Sequence, residues 1–381
     1  MSNVADLDRP TDAAEREDAR DIAYASQWRL VFIRLRRHRL AVASGIVLAA
    51  LYLMAAFAPF LSPHDPTEKS LEYREAPPQR LRFVSDQGVH LRPFVYPFTA
   101  TTNRVSFKRD YHDDRAQPYP LRFFVRGYRY KLLFVFESDI HLFGTGVAEV
   151  PVHLLGTDHL GRDMLARVMY GAQISLSVGL VGVAISFVLG ILIGGLAGYF
   201  GGFVDEAVQR VVEVLLSIPQ LPLWMGLSAA LPLSWPVVRM YFAITVILSL
   251  VGWTRLAREV RGKFLSLRGE DYVVAAQVAG MRDLPIIFRH MVPSFLSHIV
   301  ASLTLSIPLM IIGETSLSFL GLGMQAPAIS WGVLLQSAQK VQTLELAPWL
   351  MIPALYVIVT VLAFNFLGDG LRDAADPYGQ T

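Results

Sequence analysis

The sequence predicts an all-α polytopic membrane protein with six transmembrane helices and a small β-rich insert on its outer side. Three observations carry this. Apolar residues make up 53% of the 381-residue chain, and they collect in long uncharged runs rather than at amphipathic spacing. Mean hydropathy is accordingly +0.41. The stretch 62–173 breaks the pattern, being rich in Pro, aromatic and charged residues.

The first run, Leu40–Leu61, is 22 residues without a charge, and Ile174–Phe200 and Ala347–Leu367 are two more. Crossing ~30 Å of hydrocarbon takes about 20 apolar residues, so each is long enough to span. Weaker spans are Val208–Leu231, Pro236–Trp253 and Ile299–Phe319. Buried helices of a soluble protein do not reach this length in three places. Residues 1–21 are polar and rich in Asp and Glu, and the first apolar run begins only at Leu40, so that run is expected to stay as an anchor rather than a cleaved leader.

Orientation follows from basic residues beside the spans. "RLRRHR" at Arg34–Arg39 abuts the first span and puts the N-terminus in the cytoplasm. Six spans return the C-terminus to the same side. The loop Arg255–Arg289 carries seven Lys and Arg and also falls inside. The expected division is a tail 1–39, a first span 40–61, an outer insert 62–153 and an interfacial segment 154–173. A five-helix core 174–368 with a cytoplasmic loop 255–290 and a tail 369–381 complete it.

In the insert, "LRFVSDQGVHLRPFVYP" reads as two strands around a Ser85–Gly88 turn. "YPLRFFVRGYRYKLLFVF" reads as a second pair turning near Gly127. Gly190, Gly194 and Gly198 recur every fourth residue in the second span, a spacing that lets two helix backbones approach in lipid. Glu206, Arg210 and Glu213 share one helix face at the start of the third span. Pro219, Pro222 and Pro232 then interrupt it. This predicts a kinked, cavity-lining helix, because freed carbonyls in a membrane need neighbours or a watery cavity.

Candidate chemistry is sparse. The absence of cysteine excludes disulfides and thiolate sites. A net charge of +2 argues against a nucleic-acid partner. His153, Asp158, His159 and Asp163 are dense but match no metal-ligand spacing, and no metal is expected. No phosphate-binding loop or nucleophile elbow is present, so the chain is not expected to be an enzyme. Glu314 is the one carboxylate well inside a span. Such a group lines a pathway or gate, or makes a hydrogen bond between helices to Ser or Thr; the sequence leaves both open.

The loop "RGEDYVVAAQVAGMRDLPIIFRH" (268–290) holds two short helix signals. The first starts around Gly269–Asp271, carries Tyr272, Val273, Ala276 and Ala279 on its apolar side, and ends at Gly280. Asp283 can cap the second, with Pro285 in its first turn. Exposed Val and Ala on a short cytoplasmic helix suit a partner's groove.

These residues resemble the "EAA" coupling loop of permease subunits in binding-protein-dependent ABC importers. Val274-Ala275-Ala276, three residues and Gly280 match its spacing, with valine in place of the glutamate. "GTDHLGRDMLARVMYGAQISLSVG" (156–179), "ETSLSFLGLGMQAPAISWG" (314–332) and "LAFNFLGDGLRDAADP" (362–377) resemble the C-type subunit of the dipeptide/oligopeptide branch. The long insert is similar to that of oligopeptide and microcin-C-type importers.

The resemblance implies a type I importer permease fold and a place in the bacterial inner membrane. It implies a homologous permease partner, two ATP-binding subunits and a periplasmic substrate-binding protein, with membrane lipid around the helices. ATP would be bound by the partners and the chain itself would need no cofactor. The cargo implied is peptides or peptide-like solutes; nickel, opines and glycosides are carried by related permeases. Motif matching places ATPase docking on Ala275, Ala276 and Gly280, with Asp271 and Val274 beside them. Pathway candidates are Glu314, Pro219 and Pro222. The contrasting reading is a proton-coupled secondary transporter using Glu314; a third is a membrane-bound sensor or scaffold using the outer domain.

Overall fold

The computed structural model describes residues 27–375, except 86–87, 103–108, 134, 148, 233 and 340–344. Residues 1–26 and 376–381 of the expected tails lie outside the described residues. Among the described residues, eleven α-helices of four residues or more build the helical part. A short α1 (Gln27–Arg37) leads into α2 (Arg39–Ala56) and a single turn, α3 (Ala58–Leu61). After the insert come α4 (Met164–Phe200), α5 (Gly202–Ser217), α6 (Gln220–Ala229) and α7 (Val237–Leu267). The loop helix α8 (Asp271–Val278), then α9 (Leu296–Phe319), α10 (Trp331–Ser337) and α11 (Ile352–Ala375) follow.

Five of these segments are long and apolar enough to cross a membrane, and α5 with α6 make a sixth only as a broken pair. The sequence predicts one kinked span there; the observed bend is 88°. Pro219 sits at the break and has no amide hydrogen, so the backbone cannot continue the α5 ladder through it. Pro222 lies in the first turn of α6, where proline is tolerated, and therefore does not itself bend the helix.

The core is built on α4 and α7. A Cβ on Gly198 would lie 2.6 Å from the Phe264 Cβ, and one on Gly190 2.7 Å from a Leu256 methyl. Gly194 faces the Ala257 backbone in the same way. The four-residue glycine spacing thus makes a packing face against α7. Leu176, Ile244, Leu248, Met310, Ile311 and Trp331 fill the interior between α4, α7, α9 and α10. Most remaining large apolar side chains of the spans face outward, as a lipid-bathed bundle allows.

Among the described residues, the insert holds seven strands: β1 (Arg82–Ser85), β2 (Gly88–Val95), β3 (Phe98–Thr102), β4 (Arg109–Asp113), β5 (Tyr119–Pro120), β6 (Arg122–Leu132) and β7 (Phe136–Gly144). They form antiparallel sheets β1-β2-β5, β3-β4 and β6-β7. Ser85 pairs with Gly88, as the first turn requires; residues 86–87 are outside the described set. The second expected turn is corrected. Gly127 lies inside a continuous β6, and the hairpin reverses beyond Leu132, which pairs with Phe136. Glycine is needed at 127 for a different reason: a Cβ there would meet the His141 ring at 2.6 Å.

The coupling loop, the inner groove and the outer junction

Helix α8 begins at Asp271, whose carboxylate suits the positive helix end. It stops in a Schellman motif. The Met281 amide donates to the Ala276 carbonyl at 3.1 Å and the Gly280 amide to Gln277 at 2.9 Å. Gly280 adopts φ +75°, a conformation costly for any residue with a Cβ. The glycine of the motif is therefore a backbone requirement.

The eight residues of α8 have two faces. Val273 and Ala276 are buried among Val260, Phe264, Ile286 and Met291. Tyr272, Val274 and Val278 are exposed, Val278 to 84%; Asp271 and Ala275 are exposed beside them. This corrects one expectation. Ala276 faces the chain's own core, and Val278, which motif matching passed over, is the most exposed apolar residue of the helix.

Asp283 is corrected as well. The following turn starts at Asp283 with Arg282 in the cap position, and no side chain caps it. The Asp283 carboxylate instead accepts a hydrogen bond from the Tyr199 hydroxyl at 2.6 Å. Gln277 donates to the same hydroxyl at 3.3 Å. Tyr199, in the last turn of α4, therefore ties both limbs of the loop to one membrane helix. Sequence separations of 78 and 84 residues hid this contact. A second tether joins the start of α5 to α7 through the Arg261 guanidinium and Asp205 carboxylate.

Glu314 is fully buried on α9. Ser175 donates to its Oε2 at 3.2 Å and Ser318 to its Oε1 at 2.8 Å. Each serine oxygen also accepts a backbone amide, from Trp331 and Met324 respectively. The carboxyl thus closes a network that fastens α4, α9 and the turn into α10. Of the two readings left open by the sequence, this geometry is that of a helix-to-helix hydrogen bond.

A concavity of the membrane part that carries charged side chains on an otherwise largely apolar lining lies elsewhere. A groove of about 720 Å³ runs between α5–α7, α9 and α11, lined by Leu216, Gln220, Arg255, Arg258, Ser306 and Asn365, among others. It shares Arg255, Glu259, Leu305 and Ser306 with a second cavity of about 290 Å³ that reaches Arg372. Pro219 and Pro222 do not line it; they flank Gln220, which does. Glu259 accepts from Ser302 at 2.5 Å, and Arg255 stands 3.9 Å from its other oxygen.

The His- and Asp-rich segment before α4 makes a buried junction. Asp158 accepts from the Leu160 and Arg162 amides and from the Arg162 guanidinium at 2.7 Å. The buried Arg167 lies 3.6 Å away. Asp163 caps α4 through the Ala166 amide and accepts from His153 Nδ1 at 2.9 Å. The Val152 amide donates to His64 Nε2 at 3.1 Å. Burial, against the pull of Asp163, pushes the His64 imidazole from 6.5 down to about 4. The acidic groups are thus occupied by amides and guanidinium groups, and among the described residues no set of three or more His, Asp or Glu could hold a metal.

Two family models match the chain. "Binding-protein-dependent transport system inner membrane component" covers residues 190–378. "N-terminal TM domain of oligopeptide transport permease C" covers residues 26–78. The dipeptide transport system permease protein DppC of Bacillus subtilis (strain 168) is 32% identical over 346 residues, 90% of this chain and 83% of that protein. The chain belongs to this permease family. The oligopeptide transport system permease protein OppC of Escherichia coli (strain K12) is 42% identical to the permease over 232 residues, 59% of this chain and 72% of its own length. A chain of an inward-facing MetNI methionine ABC transporter overlays 56% of the permease and 98% of itself, at TM-score 0.43 and 20% identity. Permeases of this family are multi-pass subunits without an ATPase site of their own, and they work with ATPase and substrate-binding components. All seven strands fall between the two matched stretches.

Proposed function

We propose that this permease moves peptides or peptide-like solutes inward across the bacterial inner membrane, driven by ATP hydrolysis on two partner subunits. It pairs with a homologous permease and receives cargo from a substrate-binding protein on the outer side. Both termini are cytoplasmic, the insert 62–153 is periplasmic, and loop 268–290 meets an ATPase. The peptide permeases among its relatives support the cargo. The basic flanks of the first span and of the loop support the orientation.

The observation that carries the coupling role is the split of α8. Val273 and Ala276 lock it to α7 and to the turn after it, while Tyr272, Val274 and Val278 remain uncovered. A partner pressing on that face moves the membrane helices, because the opposite face is packed on α7 and the following turn and Gln277 is linked to Tyr199 of α4. Transport follows only if ATP-bound and ATP-free partners favour different loop positions. The groove at Arg255, Arg258 and Asn365 is this subunit's share of the pathway, with charged groups facing a watery cleft instead of lipid.

Replacing Val278 by Asp places a charge on the docking face without disturbing an internal contact. In proteoliposomes with all partners, peptide uptake is expected to fall at least tenfold, by loss of about 1.4 kcal/mol or more of docking energy, with membrane insertion unchanged. Gly280→Val should uncouple uptake in the same way, through its positive φ. Normal uptake in both variants would remove the loop from the mechanism. The secondary-transporter alternative predicts that Glu314→Gln abolishes uptake irrespective of ATP. The sealed network around Glu314 favours ATP-dependent uptake that survives wherever the variant folds.

A further inference from the structure

The β6–β7 hairpin descends along the outer end of the first span. Near its root, Phe124 stacks 6.3 Å from Phe60 at the end of α3. Further down, His141 and Tyr128 contact the Pro59 carbonyl, and the Tyr128 hydroxyl meets that of Tyr170 on α4 at 3.0 Å. Closer to the tip, Tyr130, Lys131 and Leu133 share a groove of about 610 Å³ with Tyr52 and Ala56 of α2 and Leu176 and Leu180 of α4. As the strand advances from 124 to 133, its neighbours on the helices move from Phe60 back to Tyr52. The hairpin therefore runs toward the membrane and ends beside residues of the spanning segments themselves.

The described residues of its tip are apolar and uncovered. Leu133, Val135 and Phe136 are 51%, 72% and 66% exposed. One residue pair above them, Lys131 and Glu137 form an ion pair at 3.3 Å, and Arg129 and Asp139 stand higher still. We propose that this tip is seated in the outer leaflet, a lipid-embedded finger with Lys131 at the phosphate level. The groove behind it would be filled by lipid acyl chain. Lipid is the occupant we assign, because the groove opens between apolar outer faces of α2 and α4 and is lined there by Tyr52, Ala56, Leu176 and Leu180; the homologous permease is the other body at this depth, and it would shield the tip from both reagents in the test below. The geometry fits, since two strand residues below the ion pair reach about 7 Å, within the ~5–10 Å that interfacial segments bury. Basic and aromatic residues flanking an apolar tip are the usual arrangement at a membrane interface. The proposal rests on membrane residence alone and is independent of the coupling loop and the cargo.

The chain has no cysteine, so Val135→Cys gives a unique nitroxide site in the full-length protein. Leu91→Cys, on the other hairpin and fully exposed, is the aqueous reference; Leu355→Cys on α11 is the lipid reference. In vesicles of phosphatidylethanolamine and phosphatidylglycerol, collision with oxygen and with a water-soluble nickel chelate is measured by electron paramagnetic resonance. A ratio of oxygen to nickel collisions severalfold above Leu91→Cys and close to Leu355→Cys is expected. A ratio equal to that of Leu91→Cys overturns the proposal. Protection from both reagents also overturns it, because it marks a protein contact. Loss of uptake in Val278→Asp leaves this result unchanged, so the two readings fail separately.

Discussion

The outer and inner ends of α4 are held in opposite ways. At the outer end, Asp163 caps the helix and pairs with His153, Asp158 holds Arg162 and Arg167, and the Trp349 indole donates to the Thr157 carbonyl at 2.9 Å. These are buried, directional and charge-assisted contacts, which have one good geometry. At the inner end, glycines pack on α7, the α8 loop sits on an apolar cluster, and the directional links are the exposed Tyr199 clasp and the Arg261–Asp205 pair. Apolar contact tolerates sliding far better than a buried ion pair does. The difference suits a helix whose outer end is a fixed frame and whose inner end transmits a displacement.

The largest effect is expected where the frame is broken. Asp158→Ala leaves Arg167 buried without its counter-charge and strips two backbone amides of their acceptor. A buried pair broken on one side costs about 3–5 kcal/mol, so this variant is expected to lose folded, membrane-extracted protein. Expression at the native level with an unchanged unfolding midpoint would show that the outer end is no more rigid than the inner one.

A smaller cost should follow at the inner packing face. Gly194→Val drives a side chain into the Ala257 backbone, and overpacking of this kind costs about 1–3 kcal/mol. Since the helices must separate to admit it, uptake should fall more than the amount of folded protein does. Equal losses of both would mean that the α4–α7 contact serves stability alone.

Acid sharpens the same contrast. His64 accepts the Val152 amide only while neutral, and its folded pKa of about 4 lies below the unfolded 6.5. The folded state therefore binds fewer protons between these values, and stability is fully present above pH 6.5 and is lost as pH falls toward 4. Thermal unfolding is expected to shift downward across this window, and His64→Gln should flatten the dependence. An unchanged slope in His64→Gln would assign the acid sensitivity to another group.

Much of this was legible in the sequence, for physical reasons. Span length is a count of apolar residues against bilayer thickness, so the five continuous spans could be read directly. Gly280 was legible because only glycine enters that turn without strain. The failures share one origin, that partners distant in sequence decide the outcome. Gly127 resembles a turn residue until His141 is seen packing against it. Ala276 belongs to the motif, yet an eight-residue helix has two faces, and only Val260, Phe264 and Ile286 determine which is inward. Tyr199 carries no local signal at all, although its hydroxyl joins Gln277 and Asp283. The groove at Arg255 and Arg258 was read as a basic flank, because periodicity does not reveal which neighbouring helices leave a cleft.

Those two loop contacts give the next prediction. Tyr199→Phe removes the hydroxyl that both limbs share while keeping the ring. One exposed hydrogen bond contributes about 0.5–1.5 kcal/mol, so the protein should remain folded. Uptake per ATP hydrolysed should nevertheless drop, because the loop loses a link to α4. An unchanged ratio would leave transmission to the apolar cluster of Val273, Ala276 and Phe264 alone.

The smallest effect on stability, and the finest test of the docking face, is at Val274. It is 43% exposed and stands where the resemblance leads one to expect glutamate. An exposed substitution away from internal contacts changes stability by no more than about 0.5 kcal/mol, so Val274→Glu reports on the partner alone. Flanked by Tyr272 and Val278, the valine makes a continuous apolar patch, and a carboxylate there must be desolvated on docking without a known cation opposite. Uptake per ATP is therefore expected to fall in Val274→Glu and to be retained in Val274→Ile. A large gain with glutamate would show that the partner still presents a cationic group to this position, and that the valine is a tolerated loss rather than part of the docking surface.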